Sequence, residues 1–213
     1  MIKYMRFLIF ILVLFNSCGK DKSVAMHNPS PQMNIKPFIP LKVGNMWTYL
    51  YYDISTGYTD TMVISAQSSL VNSNGDTLLL LQRKLKNIAV VDTLYVQVLP
   101  TAITYFTDIS MRHIFDRYLL PLSFGLSWSD GVYSQDNTSV IGYPGNEAIP
   151  ISIYGTIYDS LYATLRQATD NSYKLRQQTE IKPGIGIITF TNLEAVNYNY
   201  GYDLLLLNYH IVE

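Results

Sequence analysis

Apolar and aromatic side chains recur at every second position through a series of short runs, and this period constrains the chain more than any other feature. Trp47, Tyr49 and Tyr51 alternate with Thr48, Leu50 and Tyr52, and Met62, Ile64 and Ala66 set the same rhythm through residues 61–67. Successive side chains of an extended backbone point to opposite faces, so such runs build half-buried strands. Further runs cover residues 93–99, 102–107, 139–143, 149–153, 172–179, 186–191 and 202–211. Residues 158–167 fit a strand with Leu161, Ala163 and Leu165 on one face, or a short helix joining Tyr158, Leu161, Tyr162 and Leu165. The bounding Gly155 and Thr169-Asp170-Asn171 favour the strand. Asn74-Gly75, between residues 68–71 and 77–81, predicts a two-residue hairpin turn with positive φ at both central positions. No long helical period occurs, and short connections between consecutive strands favour antiparallel pairing in an all-β fold.

Charged residues form only 15% of the chain, while tyrosine reaches 18 copies, a balance that suits a β-rich envelope protein. The formal net charge is −1 with no basic run, which argues against nucleic acid as a partner and against membrane attachment by charge alone.

Cys18 is the one cysteine, so no internal disulfide staples the fold and stability rests on the core. It follows a basic start (Lys3, Arg6) and a nine-residue apolar run from Phe7 to Phe15. That run is too short to cross a bilayer and reads as the hydrophobic segment of a secretory signal over residues 1–17. Phe15-Asn16-Ser17-Cys18 resembles a bacterial lipobox, with Phe15 and Asn16 in positions where lipoproteins of the Bacteroidota tolerate departures from the usual pattern. The resemblance implies cleavage before Cys18 and acylation of Cys18, attaching the protein to the membrane. Gly19-Lys20-Asp21-Lys22 resembles, with a single acidic residue, the charged signal that sends some of these lipoproteins to the outer face. The expected location is therefore the outer membrane, on its cell-surface or periplasmic face. Residues 18–36, with Asn28-Pro29-Ser30-Pro31 and little apolar period, read as a lipidated tether. As a coil it spans roughly 25 Å root-mean-square and would hold a folded domain, residues 37–213, clear of the membrane.

Both tryptophans sit in a local repeat. Pro40-Leu41-Lys42-Val43-Gly44-Asn45-Met46-Trp47 aligns with Pro121-Leu122-Ser123-Phe124-Gly125-Leu126-Ser127-Trp128 at a separation of 81 residues. A glycine turn followed by a tryptophan at a strand start would cap one end of a curved sheet and plug its core. The first block, residues 38–49, together with Lys182-Pro183-Gly184-Ile185-Gly186-Ile187-Ile188, resembles a group of uncharacterised Bacteroidota envelope lipoproteins. Those proteins begin with P-L-x-x-G-x-x-W-x-Y and end with P-G-x-G-x-[IV]. The resemblance implies a strongly bent antiparallel sheet or incomplete β-barrel over residues 38–211, and it carries no catalytic residues.

Motifs for chemistry are scarce. His27, His113 and His210 have no metal-ligand spacing, and no nucleophile elbow, phosphate loop or H-E-x-x-H occurs, so no cofactor or metal is expected. Asp53, Asp60, Asp92, Asp108, Asp116, Asp159, Glu180 and Glu194 are available for a carboxylate-dependent hydrolase, but solvated loop charges account for them equally. Asp130 with Gln135, Asp136 and Asn137 forms a polar loop without a regular calcium pattern. The remaining contact candidates are Tyr198, Tyr200 and Tyr202, which share one face if residues 198–202 are extended, with Asn197 and Asn199 interleaved. Aromatic rows beside amides suit a glycan or a protein partner. The sequence thus predicts a non-catalytic, lipid-anchored β domain binding a partner protein, glycan or apolar molecule, with an assembly component of a surface complex as the alternative. A hollow core would indicate an apolar cargo, and a filled one would indicate surface recognition.

Overall fold

Fourteen short strands and no helix make up the residues described by the computed structural model: 37–212, except 89–90, 123–126, 134–137, 169–174 and 195–199, with backbone alone at 129–133, 138–148 and 168. The leader, Cys18, the tether, Tyr198 and most of the polar loop at 135–137 lie outside the described residues. The strands are β1 (Met46–Asp53), β2 (Thr59–Val71), β3 (Thr77–Leu85), β4 (Val91–Leu99), β5 (Ala102–Phe106), β6 (Ile114–Leu119) and β7 (Trp128–Tyr133). They continue with β8 (Thr138–Ala148), β9 (Ile151–Ile153), β10 (Thr156–Tyr158), β11 (Leu161–Ala168), β12 (Arg176–Lys182), β13 (Gly186–Glu194) and β14 (Tyr200–His210).

Twelve of them form one antiparallel sheet in the order β6-β5-β4-β3-β2-β1-β14-β13-β12-β11-β8-β7, and β9 with β10 makes a separate hairpin. The order is a meander running outward in both directions from a seam where the first strand pairs with the last, Trp47 opposite Tyr209 and Tyr52 opposite Asp203. The sheet rolls until its flanks meet. Phe115 on β6 packs on Phe190 of β13, with ring centroids 5.9 Å apart, and the Tyr118 hydroxyl of β6 lies 3.3 Å from Thr179 Oγ1 of β12. Among the described residues no ladder joins β6 to β7. The fold is all-β, an incompletely closed antiparallel barrel.

One end of the roll is plugged by the two sequence blocks, which meet there. Trp47, 4% exposed, donates its indole N–H to Ile185 O at 2.7 Å, and Tyr49 donates its hydroxyl to Ile187 O at 3.0 Å. Gly186 holds φ at +110°, and a Cβ there would stand 3.2 Å from Trp47 Nε1, so the tryptophan fits because position 186 has no side chain. Buried Asn45 ties the corner by donating to Pro40 O at 2.5 Å and accepting from the Val212 N–H at 2.7 Å. Trp128 is also buried in the core, and among the described residues its indole N–H has no hydrogen-bond acceptor.

Three local expectations need correction. Asn74-Gly75 is not a two-residue turn: Val71 pairs with Thr77, leaving a five-residue loop in which Gly75 has positive φ and Asn74 does not. The Asn72 side chain decides this by accepting the backbone N–H groups of Asn74 and Asp76 at 3.0 and 2.9 Å, an Asx-type closure. Within residues 158–167 the strand β11 begins only at Leu161, Tyr158 ending β10, and a register shift between Tyr162 and Thr164 turns the face over. Thr164 and Arg166 are therefore buried, in place of Ala163 and Leu165. Strands β6, β7 and β10 carry too little apolar alternation to be read from sequence, and tertiary pairing creates them.

Candidate functional site

The inside of the roll is filled. Strands β1 to β6, β13 and β14 send Trp47, Tyr49, Ile64, Leu81, Leu94, Tyr105, Phe190 and Leu204 inward, leaving a cavity of about 50 Å³. Ligand sites for small molecules run to roughly 300–1,000 Å³, so this space suits one or two waters and no apolar cargo.

Tyr202 belongs to this interior. It stacks on Tyr51 at 5.5 Å between ring centroids and approaches Phe190 at 5.8 Å. Arg83 reaches it across the roll, donating from Nη1 to the Tyr202 hydroxyl at 3.2 Å. The same guanidinium makes a two-point pair with Asp92 at 2.6 and 2.5 Å and lies over the Phe115 ring at 4.9 Å. Burial raises the Tyr202 hydroxyl pKa, and the positive Arg83 works against that rise. Burial first, then the Asp53 carboxylate, pushes Tyr51 up to about 12. A recess of about 170 Å³ opens beside this group, lined by Tyr51, Met62, Arg83, Leu85, Asp92 and Tyr202. Its one cation is already satisfied by Asp92. Tyr200 shares the parity of Tyr202 but sits at the strand end, 57% exposed, so the structure does not build these two into one platform.

Buried polar groups form a second interior cluster under β6. Arg166 donates to Phe115 O and to Gln177 Oε1 at 2.8 Å, Gln177 donates to Asn192 Oδ1 at 2.9 Å, and Asn192 donates to Glu194 Oε1 at 2.6 Å. Tyr118 donates to Asp116 Oδ2, and burial raises the tyrosine pKa well above its ordinary value, with Asp116 adding to the rise. The chain of bonds holds β6 against β11, β12 and β13, which is a structural use of these carboxylates. Asp53, Asp108 and Asp159 serve loops: Asp53 accepts from Ser55 and Thr56, Asp108 from Ser110 and His113, and Asp159 from Lys182. Among the described residues no group of His, Cys, Asp or Glu is placed to hold a metal.

The outer face of the seam offers the larger space. Leu50 and Tyr52 of β1, Thr59 of β2, Gln178 and Glu180 of β12, Thr189 and Thr191 of β13, and Asp203 and Leu205 of β14 surround an open recess of about 450 Å³. Register explains the set. Tyr52, Asp203, Thr191 and Gln178 form one cross-strand row, and Leu50, Leu205, Thr189 and Glu180 form the next. The floor is apolar at Leu50 and Leu205, and exposed Tyr52 supplies an aromatic face. Asp203 lines the recess with its Oδ1 buried, and among the described residues that oxygen has no hydrogen-bond partner. Glu180 accepts from the Thr189 hydroxyl at 2.5 Å.

Two acidic residues line this recess, Asp203 and Glu180, their Cα positions two strands and one row apart, roughly 12 Å by strand spacing and rise. Sequence reading missed Gln178, Thr191 and Asp203 because membership depends on register across four strands. The alternation in β1 and β14 assigns their face but not their neighbours.

No known protein family matches the chain, and no curated protein matches it. Among solved structures, a candidate lipoprotein from Parabacteroides distasonis is similar, with a TM-score of 0.45 and 9% identity, over 83% of this chain and 100% of that one. A likeness of that degree carries no argument about function.

Proposed function

We propose that this chain is a lipid-anchored protein of the bacterial cell envelope whose β domain binds, without catalysis, a glycan or similar hydroxyl-rich ligand in the outer recess. The anchor rests on Cys18 at the end of the apolar leader. The binding mode rests on one contrast: about 450 Å³ of open, mixed-polarity space outside the seam against about 50 Å³ inside it. A sugar ring presents an apolar face that the Tyr52 ring can cover, and hydroxyl donors that the carboxylates of Asp203 and Glu180 lining the recess can accept. Gln178, Thr189 and Thr191 supply further donors and acceptors at the rim. The filled interior gives no support to a carrier of apolar molecules.

A glycan array probed with the mature Cys18→Ser chain tests the reading. Retained glycans should lose at least about tenfold in affinity with Asp203→Asn, the cost of one hydrogen bond to a charged group. No glycan retained, or retention that ignores Asp203→Asn and Tyr52→Ala together, overturns it.

A further inference from the structure

The β9–β10 hairpin presents two exposed apolar side chains at the tryptophan end of the roll. Tyr154 is 74% exposed and Ile157 72%, with Ile149 (83%) two residues before β9, while Ile153 and Tyr158, on the face opposite Ile157, are buried in the core. One face of the hairpin is thus fixed, and the face that carries Ser152 and Ile157 is exposed. Ile153 pairs with Thr156 across a two-residue turn, with Tyr154 at φ +47° and Gly155 at +84°. Asparagine or glycine adopts that left-handed position with less strain than tyrosine. A tyrosine at the tip spends conformational freedom to expose an aromatic ring.

The chain enters the domain beside this hairpin. Pro37 O accepts the Gly184 N–H at 3.1 Å, and Phe38 meets Tyr162 edge-on at 5.3 Å. Lys182, just before Gly184, holds the residue after β10 by donating to Asp159 O and Oδ1 at 2.6 and 2.5 Å. The tether therefore begins at the end of the roll that carries the exposed tip. An acylated Cys18 keeps that end within roughly 25 Å of the bilayer, where a weak apolar contact acts at high effective concentration.

We infer that the hairpin is a second membrane contact: Tyr154 at its tip and Ile157 on its exposed face seat in the lipid interface and orient the domain with its tryptophan end toward the membrane. This rests on the lipid-anchored reading and revises the expectation of a domain standing clear. Isoleucine with tyrosine suits the interfacial zone, where the ring keeps its hydroxyl in the headgroups. Contact of this kind depends little on salt or on anionic lipid, in keeping with the chain's near-neutral charge.

Cys18 is the sole cysteine, which makes the test specific. Ile157→Cys, and separately Ile88→Cys in the β3–β4 connection at the opposite end, are introduced into the acylated protein and labelled with an environment-sensitive thiol dye. The labelled proteins are reconstituted into phosphatidylcholine vesicles with and without doxyl-labelled lipid. The dye at 157 should shift to the blue and lose fluorescence to the doxyl group, with neither change at 88. Equal, unquenched emission at both positions overturns the proposal, and so does a blue shift at 157 that rises with protein concentration and ignores doxyl lipid, the mark of self-association. The mass of the N-terminal peptide from the same samples separates the two readings. Acyl mass on Cys18 with an unquenched dye at 157 rejects the hairpin contact alone, whereas an unmodified Cys18 rejects the anchor and, with it, the orientation.

Discussion

The inner and outer faces of β1, β12, β13 and β14 are made by the same strands, residue by residue, yet they solve different problems. Inward, Trp47, Tyr49, Ile188, Phe190, Leu204 and Leu206 are buried and interlock across the roll. Outward, Leu50, Tyr52, Gln178, Glu180, Thr189, Thr191, Asp203 and Leu205 leave a recess that none of the described residues fills. The period of two separates stability from recognition, because a side chain on one face contributes little to the other. Substitutions should therefore sort by parity.

The largest effect belongs to the inner face. Trp47→Ala removes a buried indole and its bond to Ile185 O, and is expected to cost about 3 to 5 kcal/mol in denaturant unfolding. Trp128→Ala should cost less, since among the described residues its indole N–H makes no bond to lose. Any ligand affinity measured while either variant is folded should stay unchanged, and a selective loss of affinity would break the separation.

Next comes Gly186→Ala, which forces a left-handed residue and brings a methyl group to 3.2 Å from Trp47 Nε1. About 1 to 3 kcal/mol is expected from the backbone alone. Gly201→Ala sharpens the point: its Cβ would lie 1.8 Å from Asn192 O, so the β13–β14 ladder must open locally. Hydrogen exchange should show residues 190–194 losing protection in that variant, and unchanged protection would contradict the packing.

On the outer face, Tyr52→Ala should shift unfolding by less than about 0.5 kcal/mol, as exposed substitutions do, and Asp203→Asn, part-buried, should shift it by less than Trp47→Ala. Both should still weaken glycan binding, Asp203→Asn by about tenfold or more, the worth of one hydrogen bond to a charged group. Unfolding shifts as large as those of Trp47→Ala would mean that the outer row is structural after all.

The smallest effect lies in the loops. Partial burial works to raise the Asp108 pKa, but hydrogen bonds from Ser110, His113 and Arg112 prevail and hold it at about 2. A folded pKa below the ordinary carboxylate value adds stability above that value, and the contribution fades as pH falls from about 4 toward 2. Asp108→Asn should lower stability modestly at neutral pH and flatten the acid limb of the stability curve in that window, so that variant and parent converge near pH 2.

How much of this was legible in the sequence follows from what each feature depends on. The alternation of Trp47, Tyr49 and Tyr51 is local, so β1 and its buried face could be read directly. The two glycine blocks could be read as turns, but their meeting at Trp47 and Ile185 spans 138 residues and needed the seam between first and last strands. β11 misled because the irregularity between Tyr162 and Thr164 inverts parity, an event with no composition signal. Tyr202 drew notice because aromatic residues serve surfaces and cores alike, and only register shows that it lies part-buried against Tyr51 and Phe190. The recess was out of reach because Tyr52 and Gln178 lie 126 residues apart and share a row through two intervening strands.

The claim that the seam recognises ligand outward while remaining closed inward is tested most directly by methyl-resolved NMR, titrating the mature Cys18→Ser chain with a glycan retained on the array. Methyl signals of Leu50, Thr189, Thr191 and Leu205 should shift, while those of Ile64, Leu81, Leu94 and Ile187 stay in place. Shifts confined to the inner set would show that the roll opens to take its ligand inside, and would contradict the account.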